Sequence, residues 1–232
     1  MTSRWLKWTA TALGLAAGAY GAVVGAAWYR YGRSKRRGGD PLLDGFMPQY
    51  DVAEQHFAYV AAPPDVTLAA AEEADLDGSP MVRAIFKARE AMLGTTPDDT
   101  PRPKGLLALT TSIGWAVLAE CPGREVVVGA VTQPWLPDVV FRPLPPDAFR
   151  DFRDPGYVKI AWTLRADPAD AGHSIFRTET RAVATDALSR RRFRWYWARF
   201  SPGILLIRRL MLIQLRNEAE RRARAAPAAG IL

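Results

Sequence analysis

Between Trp8 and Tyr29 the chain reads WTATALGLAAGAYGAVVGAAWY, twenty-two residues without a formal charge. At 1.5 Å per residue a helix of this length spans roughly 30 Å, the thickness of a bilayer's hydrocarbon core. Trp5, Trp8, Trp28, Tyr29 and Tyr31 stand near its ends, where amphipathic rings favour the membrane interface. Gly14 with Gly18, and Gly21 with Gly25, form small-xxx-small pairs that let a second helix approach closely, so self-association through this helix is an expectation. A cleaved signal peptide is the alternative, with Ala17-Gly18-Ala19 as its site. The apolar run continues ten residues past that site, however, and ends in Arg30, Arg33, Lys35, Arg36 and Arg37, against only Arg4 and Lys7 before it. Excess positive charge marks the cytoplasmic side. The expectation is a single-pass anchor in the cell membrane, its domain facing the cytoplasm.

Charge is segregated along the chain. Residues 1–40 carry seven Lys/Arg against one acid, residues 41–175 eleven against nineteen, and residues 176–232 thirteen against four. The net values are +6, −8 and +9. Basic ends of this kind point to a membrane surface or a nucleic acid as neighbour. Hydrophobic content of 49% and charged content of 24% are those of an ordinary globular protein. The single cysteine, Cys121, excludes an intrachain disulfide and suits a reducing compartment. His56 and His173 lie far apart and read as surface or cap residues, and neither a metal site nor a cofactor is expected. A P-loop and a G-x-G-x-x-G are both missing, and no nucleophile stands with a base in a recognisable motif. Catalytic residues are therefore expected to be none.

Past the anchor and its basic flank (1–40), residues 41–55 read as a Gly- and Pro-bearing linker. The folded domain is expected over 56–224, with a frayed tail at 225–232. FAYVAAPP alternates and gives a first strand at 56–62. Ser79 is a good N-cap with Pro80 at the first helical position of a later helix. A hairpin follows, residues 113–120 turning at CPG into 125–132. YVKIAWTLRA then places Val158, Ile160, Trp162 and Leu164 on one face, with Lys159, Thr163 and Arg165 on the other. In the next strand Arg177, Glu179 and Arg181 share a side and read as a charge ladder on a solvated face.

Asp186 caps a final helix that opens with RRRFRWYWARF, residues 190–200. Phe193, Tyr196, Trp197 and Phe200 fall at i, i+3, i+4 and i+7, one apolar stripe. Arg190, Arg191, Arg192, Arg194 and Arg199 fill the rest of the circumference, and Trp195 alone is an aromatic among them. A base-stacking platform needs aromatics and cations on the same side. Their separation argues against nucleic acid and favours anionic lipid headgroups. Ser201-Pro202 is expected to break or kink the helix.

LLDGFMPQYDVAEQHFAYVAAPP, SPMVRAIFKAR, VVVGAVTQPW, FRDPGYVKIAWTLRAD and FRTETRAVATDALSRRRFRWYWARFSPGILLIRR, within residues 42–222, resemble the START-like helix-grip superfamily (SRPBCC) in a bacterial, actinobacterial-type branch. The superfamily includes polyketide cyclase-like and lipid-transfer proteins. The resemblance implies an α+β fold, a curved antiparallel β-sheet gripping a long C-terminal helix, here preceded by one transmembrane helix. It also implies a cavity between sheet and helix that takes a hydrophobic small molecule or lipid. Trp115, Trp135, Phe141, Ile160, Trp162, Leu164, Phe193 and Trp197 are the expected lining, because pockets of this kind have apolar and aromatic walls. Arg33, Lys35, Arg36, Arg37, Arg190, Arg191 and Arg194 are the expected contacts to membrane lipids. The 95–104 loop is placed as a lip over the cavity. A cyclase or dehydratase is the alternative function, and a structural membrane protein without a ligand is a third.

Overall fold

The computed structural model describes residues 2–32, 40–75, 79–95 and 103–225, leaving the side chains of 2–7, 9, 10, 12, 13, 16 and 17 undescribed. The expected lipid contacts Arg33, Lys35, Arg36 and Arg37, most of the 95–104 loop and the 226–232 tail lie outside the described residues.

Six strands form one antiparallel sheet: β1 (Val52–Val60), β2 (Ala116–Cys121), β3 (Glu125–Thr132), β4 (Phe141–Arg142), β5 (Val158–Pro168) and β6 (Ser174–Ala184). Their order is β1-β6-β5-β3-β2, with β4 paired to β3. The first strand of the domain thus lies beside the last, in register from Val52 opposite Ala182 to Val60 opposite Ser174. Seven helices are described: α1 (Thr2–Arg30), α2 (Pro41–Phe46), α3 (Pro64–Glu72), α4 (Pro80–Leu93), α5 (Leu106–Ser112), α6 (Pro146–Asp151) and α7 (Ala187–Ala225). The expected α+β class holds: a six-stranded antiparallel sheet with a long C-terminal helix packed on it.

Both faces of the sheet are covered. On one, Val126, Val128, Trp162, Leu164 and Phe176 pack with Leu68 of α3 and with Met211 and Leu215 of α7. On the other, Val127, Val131 and Ala161 pack with Leu43 and Phe46 of α2 and Phe149 of α6. A strand buried on both faces reads as an unbroken apolar run, and every residue of β3 is buried. Gly129 belongs there because a Cβ would lie 2.5 Å from Leu118 Cδ1 and 3.0 Å from the Phe149 ring.

Several local expectations change. Residues 41–55 are not a bare linker. Asp40 caps α2 by accepting from Leu43 N at 3.1 Å, and the buried Leu43, Phe46 and Met47 make this segment a cover for the sheet. Its i, i+3, i+4 spacing is a single helical turn, too short for periodicity to stand out among Gly and Pro. The first strand starts at Val52 rather than 56, since Glu54 and His56 alternate with outward residues and broke no pattern. Residues 106–112 form α5, and the strand expected at 113–120 begins only at Ala116. Pro202 lies inside α7 without ending it. Tyr20 of α1 donates to the Arg199 carbonyl at 2.5 Å in that same turn.

The phase expected for RRRFRWYWARF is observed. Phe193 and Trp197 are 1% and 8% exposed, whereas Trp195 is 49% exposed. Residues Tyr31, Val52 and Val158 close a third apolar cluster around Phe193 and Trp197. The end of α1 is joined to the domain at this cluster. Gly32 N donates to the Asp51 carbonyl at 2.8 Å, and the Tyr31 and Phe193 rings meet edge-on at 6.0 Å. Among the described residues, no helix is long and apolar enough to cross a membrane.

Candidate functional site

One stripe of α7 faces the sheet. Phe193, Trp197, Ser201, Met211, Leu215 and Ala219 recur on it and are buried. Arg208, three residues before Met211 and seven after Ser201, lies on the same stripe. It is a cation set in the middle of the gripping face. Its guanidinium donates to the Thr180 hydroxyl and, at 3.4 Å, to that of Thr178. Among the described residues it forms no ion pair.

The sheet register explains what faces Arg208. Glu54 pairs with Thr180 and His56 with Thr178 across β1 and β6, so four polar side chains form a square on the gripped face. Burial lowers the Arg208 pKa to about 10, partly offset by the charge of Glu54; the guanidinium stays charged at neutral pH. Burial raises the Glu54 carboxyl, against the opposing charges of Arg208 and Arg30. Burial, then Arg208 and Arg209, lowers His56, which is therefore a neutral imidazole at pH 7. Its Nε2 is buried with no hydrogen-bond partner among the described residues, and so is Nε1 of Trp135. A half-buried cation held by neutral hydroxyls, beside an imidazole and a carboxyl of raised pKa, is suited to receiving an acidic group.

The expected lining residues divide between the apolar clusters on either side of this square. Trp162 and Leu164 belong to the first cluster, against which Trp115 packs. Trp115 meets Trp162 edge-on at 6.3 Å and Phe141 at 5.1 Å. Phe193 and Trp197 belong to the other cluster, with Trp135 and Ile160 packed on it. None of the eight lines the cleft where α1 meets α7 or the cleft near Arg165.

The larger cleft, about 980 Å³, opens where the end of α1 meets the start of α7. Arg190, Arg191 and Arg194, expected at the surface, line it together with Trp28, Tyr50 and Trp195. The Trp28 and Trp195 rings lie 4.3 Å apart. Arg194 sits 4.0 Å over the Trp28 ring and donates through Nη2 and Nε to the Trp28 carbonyl at 3.0 and 3.2 Å. Arg190 pairs with Asp51 at 3.0 Å. Arg191 bonds nothing among the described residues.

The smaller cleft, about 370 Å³, lies on the opposite face of the sheet near Gln55, Arg165 and Arg177. Here the solvated ladder expected for Arg177, Glu179 and Arg181 is corrected. Arg177 is exposed, but Glu179 and Arg181 are buried under α2, at 5% and 1% exposure. Arg181 donates to Glu179 and Asp44, each at 2.6 Å, and to the Met47 carbonyl at 2.8 Å. Strand alternation alone gives no sign that a helix from residues 41–46 will cover that side. Beside this network Arg165 contacts Asp167 at 2.9 Å, Asp40 at 3.4 Å and Glu125 at 3.7 Å.

Sequence reasoning did not single out Glu54, Arg208, Thr178 or Thr180, and placed His56 at the surface. The available signal was helical phase: continuing the Phe193 stripe past Pro202 leads to Arg208.

No protein-family profile matches the chain, and neither does any curated protein. Solved structures do align with it. A hypothetical protein from Helicobacter pylori is 6% identical, over 80% of this chain and 98% of that one, with a TM-score of 0.39. A protein from Chromobacterium violaceum is 10% identical over 72% and 96%, with a TM-score of 0.30. An aromatase/cyclase from a Streptomyces species is 16% identical over 78% and 99%, with a TM-score of 0.23. Superpositions this loose say nothing about ligand or activity.

Proposed function

We propose that this chain is a START-like ligand-binding domain, not an enzyme, that takes an apolar small molecule or lipid bearing an acidic group between its sheet and α7. Arg208 carries the reading: an arginine on the sheet-facing side of α7, half-buried and bonded among the described residues only to neutral threonine hydroxyls, is a cation that an acid would pair. Trp115, Phe141, Trp162 and Leu164 on one side, and Trp135, Ile160, Phe193 and Trp197 on the other, are the apolar walls in this reading. The segment from Trp8 to Tyr29 holds the domain at the cell membrane, facing the cytoplasm, and membrane lipids are its neighbours.

Native mass spectrometry of the full chain, released from detergent after incubation with a long-chain fatty acid, tests this. One retained fatty acid per chain is the expected result. A chain that keeps no apolar adduct of any kind contradicts it.

A cyclase or dehydratase is the second reading, favoured by Glu54 and His56 standing in the same square as a carboxyl of raised pKa and a neutral imidazole. Under the binding reading Glu54→Gln leaves ligand turnover unchanged, because there is none to lose.

A further inference from the structure

We propose that the cleft between the end of α1 and the start of α7 is a second, separate site, and that it takes the phosphate headgroup of an anionic glycerophospholipid. Its chemistry follows from four side chains. Arg190, Arg191 and Arg194 face one carboxylate, Asp51, which leaves a surplus of two positive charges for a phosphate to meet. Arg194 spends Nε and Nη2 on the Trp28 carbonyl, which fixes its fork and leaves Nη1 to donate. Arg191 has no partner among the described residues and is the cation with most to gain from an anion.

The walls decide between a lipid and a free phosphate. Trp28 and Trp195 form an aromatic pair at the cleft's edge, and Trp195 leaves half its surface exposed there. Indole rings beside a cationic fork fit the boundary between a headgroup and its acyl chains. A volume of about 980 Å³ exceeds what an inorganic phosphate requires and suits a headgroup with its glycerol. The site lies at the end of α1, and the basic run of residues 30–37 follows directly in the sequence, the kind of run that draws anionic headgroups.

The test is calorimetric titration of the full chain in uncharged detergent with dihexanoyl phosphatidic acid, dihexanoyl phosphatidylcholine and inorganic phosphate. Saturable binding of phosphatidic acid is expected, with phosphatidylcholine and inorganic phosphate each weaker by about ten-fold or more. Arg191→Gln weakens phosphatidic acid by about ten-fold, whereas Arg224→Gln, at the far end of α7, changes nothing. Trp195→Ala weakens the lipid and leaves inorganic phosphate as it was. Equal binding of phosphatidylcholine, or an Arg191→Gln variant that binds as wild type does, overturns the proposal. Inorganic phosphate binding as tightly as the lipid overturns the lipid assignment in favour of a soluble phosphate ester. Arg208→Met separates the two sites: it abolishes fatty-acid retention and any phosphatidic acid bound beneath α7, and leaves the Arg191-dependent phosphatidic acid binding in place.

Discussion

Arg208 reaches from the middle of α7 to the hydroxyl of Thr180 on β6. The contact sets a half-buried charge beside the apolar residues of α7. Leucine or methionine at that position packs without desolvating a charge, and replacing a buried charge by an apolar side chain is often neutral or stabilising.

The helix phase has a direct thermodynamic signature. Phe193→Ala removes a fully buried ring and is expected to cost about 3–5 kcal/mol. Trp195→Ala removes a half-exposed ring tilted against Trp28 and should cost no more than about 1.5 kcal/mol. Urea denaturation of the two variants checks the order, and a reversed order contradicts the packing of α7.

Covering the second face depends on Arg181. Arg181→Ala leaves Glu179 buried without its ion partner and is expected to destabilise the domain by about 3–5 kcal/mol. Asp44 is 40% exposed, and Asp44→Ala should cost far less, because the lost charge was partly solvated. Limited proteolysis is expected to cut the 40–47 segment first in the Arg181→Ala variant.

Acid–base behaviour reports on the same face. Burial, reinforced by a hydrogen bond to Asp40 and its charge and opposed by Arg165, raises the Glu125 pKa from 4.5 to about 8. Between these values the folded state holds a proton that the unfolded chain releases, so this group's contribution to stability is present below 4.5 and is lost as pH rises to about 8. Burial, helped by Arg153 and opposed by Asp151, lowers Lys159 from 10.5 to about 8. There the unfolded chain holds the extra proton, and stability is regained between about 8 and 10.5. A minimum near pH 8 is expected in denaturation midpoints measured from pH 5 to 10. Glu125→Gln should flatten the acid-side slope alone; an unchanged slope contradicts this assignment.

Periodicity made much of this fold legible. The bounds of β3, the faces of β5, the Ser79 cap of α4 and the orientation of RRRFRWYWARF all follow from local spacing. Long-range covering does not. Glu179 and Arg181 read as solvated because nothing within β6 records that α2, some 135 residues earlier, lies over them. Arg208 was hidden differently: Pro202 invited a break, and with the phase interrupted an arginine in IRRLM reads as surface. His56 was misplaced for want of a partner in sequence, since the residues it meets are supplied by β6 and α7.

The most direct measurement is a paired affinity: a long-chain fatty acid and its methyl ester, titrated against wild-type full-length protein and Arg208→Met. A charge-assisted hydrogen bond to a guanidinium contributes about 1.5–3 kcal/mol, so the wild type is predicted to prefer the acid by about ten-fold or more. Arg208→Met is predicted to bind the two alike while unfolding at an equal or higher denaturant concentration. A wild type that binds acid and ester equally, or a variant that keeps the preference, would contradict the account.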